Sequence, residues 1–259
     1  PDIYAPICVR GQSLSNALGR FGMIVPLSIA FSEDFDALRA YISSSGRHWI
    51  SSYDNIPAAI FEGVSQRCSI WLSAKTRKQA LFSAPMRRWR SQFRLWLMDN
   101  ISYCEIDIDR FDIRSYGIPR VGDAKHMSLL RIIEASAKDG VDSESFFPKG
   151  RPAVEIGLSP VARNFISAFI SDPPCLDDAS LIPVETSQHS YLRLPSDRHR
   201  NIALASLTGD VYFLYWLMRG DGFHVTSGLA KSFLRAVFNY SIQIHGQLNL
   251  LGLILHERR

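Results

Sequence analysis

The chain has 259 residues, 46% hydrophobic and 21% charged, with 29 Lys and Arg against 25 Asp and Glu and a formal net charge of +4. This composition excludes a disordered chain, supplies a substantial core and gives enough length for two domains. The mild basic excess is compatible with nucleic-acid contact without requiring it.

The predicted elements run as follows. Residues 3–18 carry apolar positions at helical intervals (Ile3, Ile7, Leu14, Leu18) and reach Gly19, a helix stop. Phe21 to Val25 in "RFGMIVP" predicts a short buried strand ended by Pro26. "SEDFDALRAYISS" predicts a helix with Ser32 as N-cap, acidic residues in its first turn and Phe35, Leu38 and Ile42 on one face. Strands follow near His48 to Tyr53 and from Arg67 to Ser73, the latter expected to be covered on both faces. About three strands and two helices make an incomplete doubly wound, Rossmann-like α/β sheet. The loop between the last two strands carries "IFEGVSQRCSI", in which Phe61 is either a core plug or a ring at the rim of the sheet.

Between Lys75 and Arg94 stand seven basic residues and no acidic one, interleaved with Phe82, Trp89 and Phe93. This stretch either faces phosphates or is a solvated surface. "IPRVGDAKHMSLLRIIEASAKDG" predicts a turn and an amphipathic helix (Met127, Leu130, Ile133) stopping near Gly140. The proline-rich stretch from Phe146 to Leu194 is expected to be irregular. Within it, "VARNFISAFI" has helical spacing (Val161, Phe165, Phe169) and leads to "SDPPC". An Asp-Pro-Pro-aromatic sequence at a strand end can hold a flipped base, but Cys175 replaces the ring, so a helix-ending turn is preferred. "RNIALASLTGDVYFLYWLMRGDGFHVT" predicts helix, turn, helix and an exposed polar loop, and the last 30 residues are again helical. His224 in that loop is either a functional contact or a histidine serving local backbone groups.

Several chemistries lack their signatures. No glycine-rich phosphate loop, no Gly-x-Ser-x-Gly elbow and no clustered His/Cys metal spacing occurs, which disfavours an α/β hydrolase fragment or a metal site. Cys8, Cys68, Cys104 and Cys175 are far apart and read as reduced thiols of a cytoplasmic protein. No run approaches the ~18 consecutive apolar residues of a membrane span, "VYFLYWLM" being eight long. From Pro1 onward no leader pattern is read, and the sequence is expected to be a piece of something longer.

The order "DIYAPI", "LGRFGMIVPLSIAFSEDFDALRAYI", "PAAIFEGVSQRCSIWLSAK", "APMRRWRSQF", "IPRVG" and "VYFLYWLMRGDGFHVT" resembles the second half of adenine-specific DNA methyltransferases of the restriction-modification type. The resemblance implies that residues 1–78 are the late part of a catalytic domain, 79–145 a connection, and 146–259 a mixed α+β target-recognition domain. It implies S-adenosylmethionine as cofactor, with the cofactor loop and the Asn-Pro-Pro-Tyr motif expected ahead of residue 1. The implied partners are double-stranded DNA and the missing N-terminal half. Phe61 would stack on an extruded adenine, Arg87, Arg88, Arg90 and Arg94 would meet phosphates, and Arg219, His224 and Thr226 would approach bases or backbone. No catalytic residue and no turnover are expected of this chain alone. The alternative is a non-catalytic specificity or protein-interaction module, with "VYFLYWLM" as its exposed interface helix.

Overall fold

The computed structural model describes residues 2–138, 143–149, 154–173, 175–177, 179–180, 182–184, 188–239 and 242–257. The chain divides into two compact units. The first is the chain up to Ser128 together with Leu217–Asp221; the second is Leu129–Trp216 with Gly222–Arg259.

The first unit opens with α1 (Tyr4–Leu14) and β1 (Arg20–Pro26). The helix stops short of Gly19 because Asn16 Oδ1 accepts the N–H of Leu18 while Gly19 N–H returns to the Asn16 carbonyl, a turn that competes with helix. Leu18 is therefore exposed rather than on a helix face. After β1 come a one-turn 3-10 helix (Leu27–Ala30), a second (Glu33–Phe35) and α2 (Asp36–Ser44). Ser32 precedes the second 3-10 turn, and its side chain makes no capping bond. Phe35, Leu38 and Ile42 are buried on one face, as their spacing predicts.

Strands β2 (Arg47–Tyr53), β3 (Cys68–Ala74), β4 (Ala80–Ser83) and β5 (Cys104–Ile106) complete a sheet of order β1-β3-β2-β4-β5, and α3 (Ile113–Tyr116) follows. β3 runs antiparallel to both β1 and β2, β2 and β4 are parallel, and β5 is antiparallel to β4. The unit is α/β with a mixed sheet in which β1, β2 and β4 share one direction. The expected break near residue 78 does not interrupt it, since β4 extends the sheet beside β2.

One face of the sheet is closed. Val25, Trp71, Ile50 and Leu81 are buried there, Phe21 meets Trp71 edge-on at 5.8 Å, and Cys8 of α1 lies 3.2 Å from the Met23 sulfur. Tyr4 of α1 stacks on Phe35 at 4.9 Å. The other face is partly open, contrary to the expectation for β3: Ile24 and Leu72 are both 44% exposed. There Trp49 and Phe82 stack at 5.4 Å with the Arg47 guanidinium over both rings. Alternation with period two, not a continuous apolar run, is what a sheet with one covered face requires.

In the second unit, α4 (Ala124–Lys138), which starts in the first, buries Leu130 and Ile133; the predicted stop at Gly140 lies outside the described residues. After α5 (Ser143–Phe146), the stretch expected to be irregular contains β6 (Val154–Leu158), β7 (Ala168–Phe169) and β10 (Ser190–Leu194) in an antiparallel sheet of order β10-β6-β7. A second ribbon pairs β8 (Cys175–Leu176) with β9 (Pro183–Val184). Residues 161–170 are not helical: Val161 bridges to His224, Phe165 is exposed and Phe169 sits in β7. Helices α6 (Asp197–Leu207), α7 (Asp210–Arg219), α8 (Ser227–Phe238) and α9 (Ile242–Glu257) complete the chain. In α7, Tyr212, Tyr215 and Trp216 are buried, which removes "VYFLYWLM" as an exposed interface helix. The loop before α8 is not wholly exposed, because Val225 is buried and its N–H donates to the Pro160 carbonyl.

All four cysteines are free thiols, Cys8 and Cys68 buried. Among the described residues no helix is long and apolar enough to cross a membrane.

Candidate nucleic-acid interface

Because β1, β2 and β4 point the same way, the segments that leave β2 and β4 emerge at one edge of the sheet. The chain leaving β2 carries Phe61 and the chain leaving β4 carries the arginines. Beyond β4 the parallel pairing continues by one step: Arg87 N–H donates to the Ser52 carbonyl at 2.8 Å, and Asp54 N–H donates to the Arg87 carbonyl at 2.9 Å.

Asp54, 2% exposed, anchors both segments. Arg88 donates its Nε–H to Oδ2 at 2.7 Å, and Arg67 Nε lies 2.8 Å from Oδ1. A buried carboxylate held by two guanidiniums is costly to desolvate and is retained only with such partners. Below it, Trp89 turns inward, meets Tyr53 edge-on at 5.9 Å and forms a small core with Ala58, flanked by Ile60, Ile70, Leu97 and Ile101. Tyr53 donates its hydroxyl to Ser51 Oγ, and burial pushes its pKa above the ordinary tyrosine value.

The Phe61 elbow is a four-residue turn: Val64 N–H returns to the Phe61 carbonyl, and Gly63 takes φ +75° at the third position, where a residue with a Cβ is strained. Phe61 itself is 45% exposed, so of the two readings of its ring the rim position is the one observed. The short 3-10 helix Ser91–Trp96 lies next to it, since Arg94 Nη1 donates to the Ile60 carbonyl. Arg90 is exposed, and Arg87 donates to the Asn100 carbonyl. Phe93, Leu95 and Trp96 are also exposed, with the Phe93 and Trp96 rings 6.0 Å apart. Leu95 and Trp96 join this surface, and the aromatic spacing of "RSQFRLW" beside arginines is their signal in the sequence.

The structure thus brings Phe61, Arg87, Arg88, Arg90 and Arg94 to one edge. It separates them from Lys75, Arg77 and Lys78, which lie in the β3–β4 connection at the opposite edge. Trp89 is corrected from an interleaved surface ring to a core residue. Arg219 is corrected as well: it is 8% exposed and donates Nη1 to the carbonyls of Tyr116 and Gly117, so its charge is spent on the fold. His224 and Thr226 belong to the second unit. The His224 carbonyl accepts the Trp216 indole N–H at 2.8 Å, while its ring is exposed against Phe223. Thr226 caps α8, its hydroxyl accepting the N–H of Leu229. In "SDPPC" the preceding residues form a strand end and not a helix, but the Asp172 carboxylate accepts the Tyr191 hydroxyl at 2.7 Å, and Pro174 lies outside the described residues.

Aromatic rings at a rim, between guanidiniums rooted in a rigid sheet, can stack flat heterocycles while the cations meet phosphates. Among the described residues no group of three or more His, Cys, Asp or Glu could hold a metal ion. Compared with known proteins, the chain matches no family model and no curated protein.

Proposed function

We propose that the first unit contributes a nucleic-acid-binding edge to an S-adenosylmethionine-dependent DNA adenine methyltransferase of the restriction-modification type, with Phe61 as base-stacking ring and Arg87, Arg88, Arg90 and Arg94 as the basic surface. The observation that carries this reading is the convergence of the Phe61 turn and the arginine segment, joined by the Arg94 to Ile60 contact, at the carboxyl ends of parallel strands. Base stacking needs a ring held at the mouth of a site, and the exposed position of Phe61 beside the Gly63 turn supports that role. Target recognition by the second unit, through His224 and neighbouring polar groups, is part of the same proposal. The arginines are partly engaged with protein groups, which fixes their direction and leaves Arg90 the most accessible cation.

The turn leaving β1 does not fit the methyl donor. At the same edge, it is filled by buried Leu27, Ile29 and Ala30, with no glycine that would let a ligand approach the backbone.

The test is binding of duplex DNA from about 50 to about 200 mM salt, where each phosphate contact contributes about −0.9 to the log–log slope. Arg90→Ala is expected to weaken binding and flatten that slope by about one contact. Phe61→Ala is expected to lower the fluorescence response of a 2-aminopurine mismatch while leaving the salt slope unchanged. Salt-independent association would defeat the nucleic-acid reading. It would favour the protein-interaction module, for which the exposed Phe93, Leu95, Trp96 and Met98 supply an apolar surface.

A further inference from the structure

The second unit holds a cavity whose polar lining, among the described residues, is Arg198, His199 and His245. It measures about 170 Å³ and is lined by Arg198, His199 and Ile202 of α6, Phe238 of α8 and His245 of α9. One water needs only about 10–15 Å³ of such space, so the cavity has room for a polyatomic ligand. Ile202 and Phe238 are nearly fully buried and make rigid apolar walls.

Both imidazoles are held in place. Ser196 Oγ accepts the backbone N–H of His199 and lies 2.8 Å from its Nδ1, so the hydroxyl hydrogen is available to Nδ1 and the ring proton belongs on Nε2. The His199 ring meets Phe238 edge-on at 5.2 Å, which fixes its plane. His245 Nε2 donates to the Val237 carbonyl at 2.7 Å, which holds its ring in place.

Arg198 and His245 are the neighbours that act on His199 electrostatically. Burial pushes its pKa below the ordinary histidine value, and next in order the neighbouring His245 and Arg198 push it the same way. Lys231 and Arg235 of α8 lie over the Phe147 ring, which neighbours Phe238. The adjacent acid, Asp197, is paired with Arg200 at 2.6 Å. An oxyanion converts such repulsion into charge-assisted hydrogen bonds, which are stronger and shorter than neutral ones.

We propose that this cavity binds a phosphate-type oxyanion, held by Arg198, His199 and His245 between the walls of Ile202 and Phe238. The same chemistry is offered by a nucleic-acid backbone phosphate and by a small phosphorylated molecule.

The experiment follows the histidine ring signals of the full chain by NMR during titration with inorganic phosphate, at constant ionic strength set with chloride. Saturable shifts of His199 and His245, with His48 unmoved, are expected. Arg198→Ala, a change at an exposed residue that leaves the helix intact, is expected to weaken phosphate by about tenfold. Arg193→Ala, which touches only the exposed Arg193–Glu155 pair, is expected to change nothing. Absence of saturable shifts, or equal phosphate affinity in Arg198→Ala and the parent chain, would overturn the proposal. Duplex DNA is then added as competitor. Displacement of phosphate assigns the site to a backbone phosphate, and retention of phosphate binding assigns it to a small molecule; either result keeps the site.

Discussion

The turn at Gly63, with φ +75°, sets where the Phe61 ring stands, whereas burial sets the chemistry of His48. Phe61 was legible as a ring on a turn because Glu-Gly at the centre of a four-residue turn has a local cause in the φ of Gly63. His48 was read only as part of a strand, yet it is fully buried, accepting the Trp71 indole N–H on Nδ1 at 3.0 Å and donating Nε2–H to the Ser45 carbonyl. Burial holds its pKa below the ordinary histidine value, outweighing the Ser45 contact. The folded state therefore favours the neutral ring, while the unfolded chain takes up a proton as pH falls through about 6.5. Stability is full above that value and declines as pH drops below it, by up to about 1.4 kcal/mol per pH unit for one proton. Urea unfolding at pH 7 and pH 5 is expected to show this loss, and His48→Gln to reduce the pH dependence at the cost of overall stability. Equal pH slopes in the two proteins would show that the buried imidazole is not the source.

At the scale of elements, periodicity located what it could see. The apolar faces of α2 and α4 follow directly from spacing, and β1, β2 and β3 lie where expected, although β1, expected to be buried, buries only Val25 and β3 leaves Leu72 exposed. β10 was missed inside a proline-rich stretch, although Tyr191, Leu192, Arg193 and Leu194 alternate between exposed and buried as a strand must. The prolines drew attention to the loops and hid the short strands between them. "VARNFISAFI" failed for the opposite reason: three apolar residues at helical intervals fit a helix by accident, while backbone pairing with β6 claims its last part. Thr226 shows a similar ambiguity, since Thr before a helix suits either a ligand contact or a cap. The structure gives it the Leu229 N–H, so Thr226→Ala is expected to cost about 1 kcal/mol in thermal or urea unfolding, with Thr226→Ser close to the parent. An unaltered stability in Thr226→Ala, with weakened DNA binding, would instead favour the contact role.

Across the whole molecule, the first unit is built from segments far apart in sequence. Arg120, 2% exposed, donates Nε–H to the Leu217 carbonyl at 3.0 Å and Nη2 to that of Gly220, and its backbone N–H donates to Met218. Arg219 returns the arrangement by holding the carbonyls of Tyr116 and Gly117. Burial, and next the neighbouring Arg219, bring the Arg120 pKa down to about 10, with Asp221 acting in the other direction. Arg120 therefore remains charged at neutral pH, and the two arginines join segments about a hundred residues apart. Arg120→Met keeps most of the side-chain volume and removes both guanidinium bonds, each worth about 1.5–3 kcal/mol when the donor is charged. A loss of about 3 kcal/mol or more in urea unfolding is expected, whereas Arg114→Met, at an exposed position paired with Asp36, is expected to cost less than about 1 kcal/mol. A similar small loss for both variants would show that the 217–221 segment is held by packing alone.

By itself the sequence determined the α/β character of the first unit, the helical end of the second, the absence of a disulfide spacing and the turn that bears Phe61, because each of these is set by neighbours within a few residues. Tertiary structure alone decided which arginines face outward, that Trp89 and "VYFLYWLM" are core, and that Arg198, His199 and His245 meet at one cavity. The reason is physical: an arginine reads the same in sequence whether its donors go to solvent, to Asp54 or to the carbonyls of Tyr116 and Gly117, and only the folded path of the chain settles which of these lies within hydrogen-bonding distance.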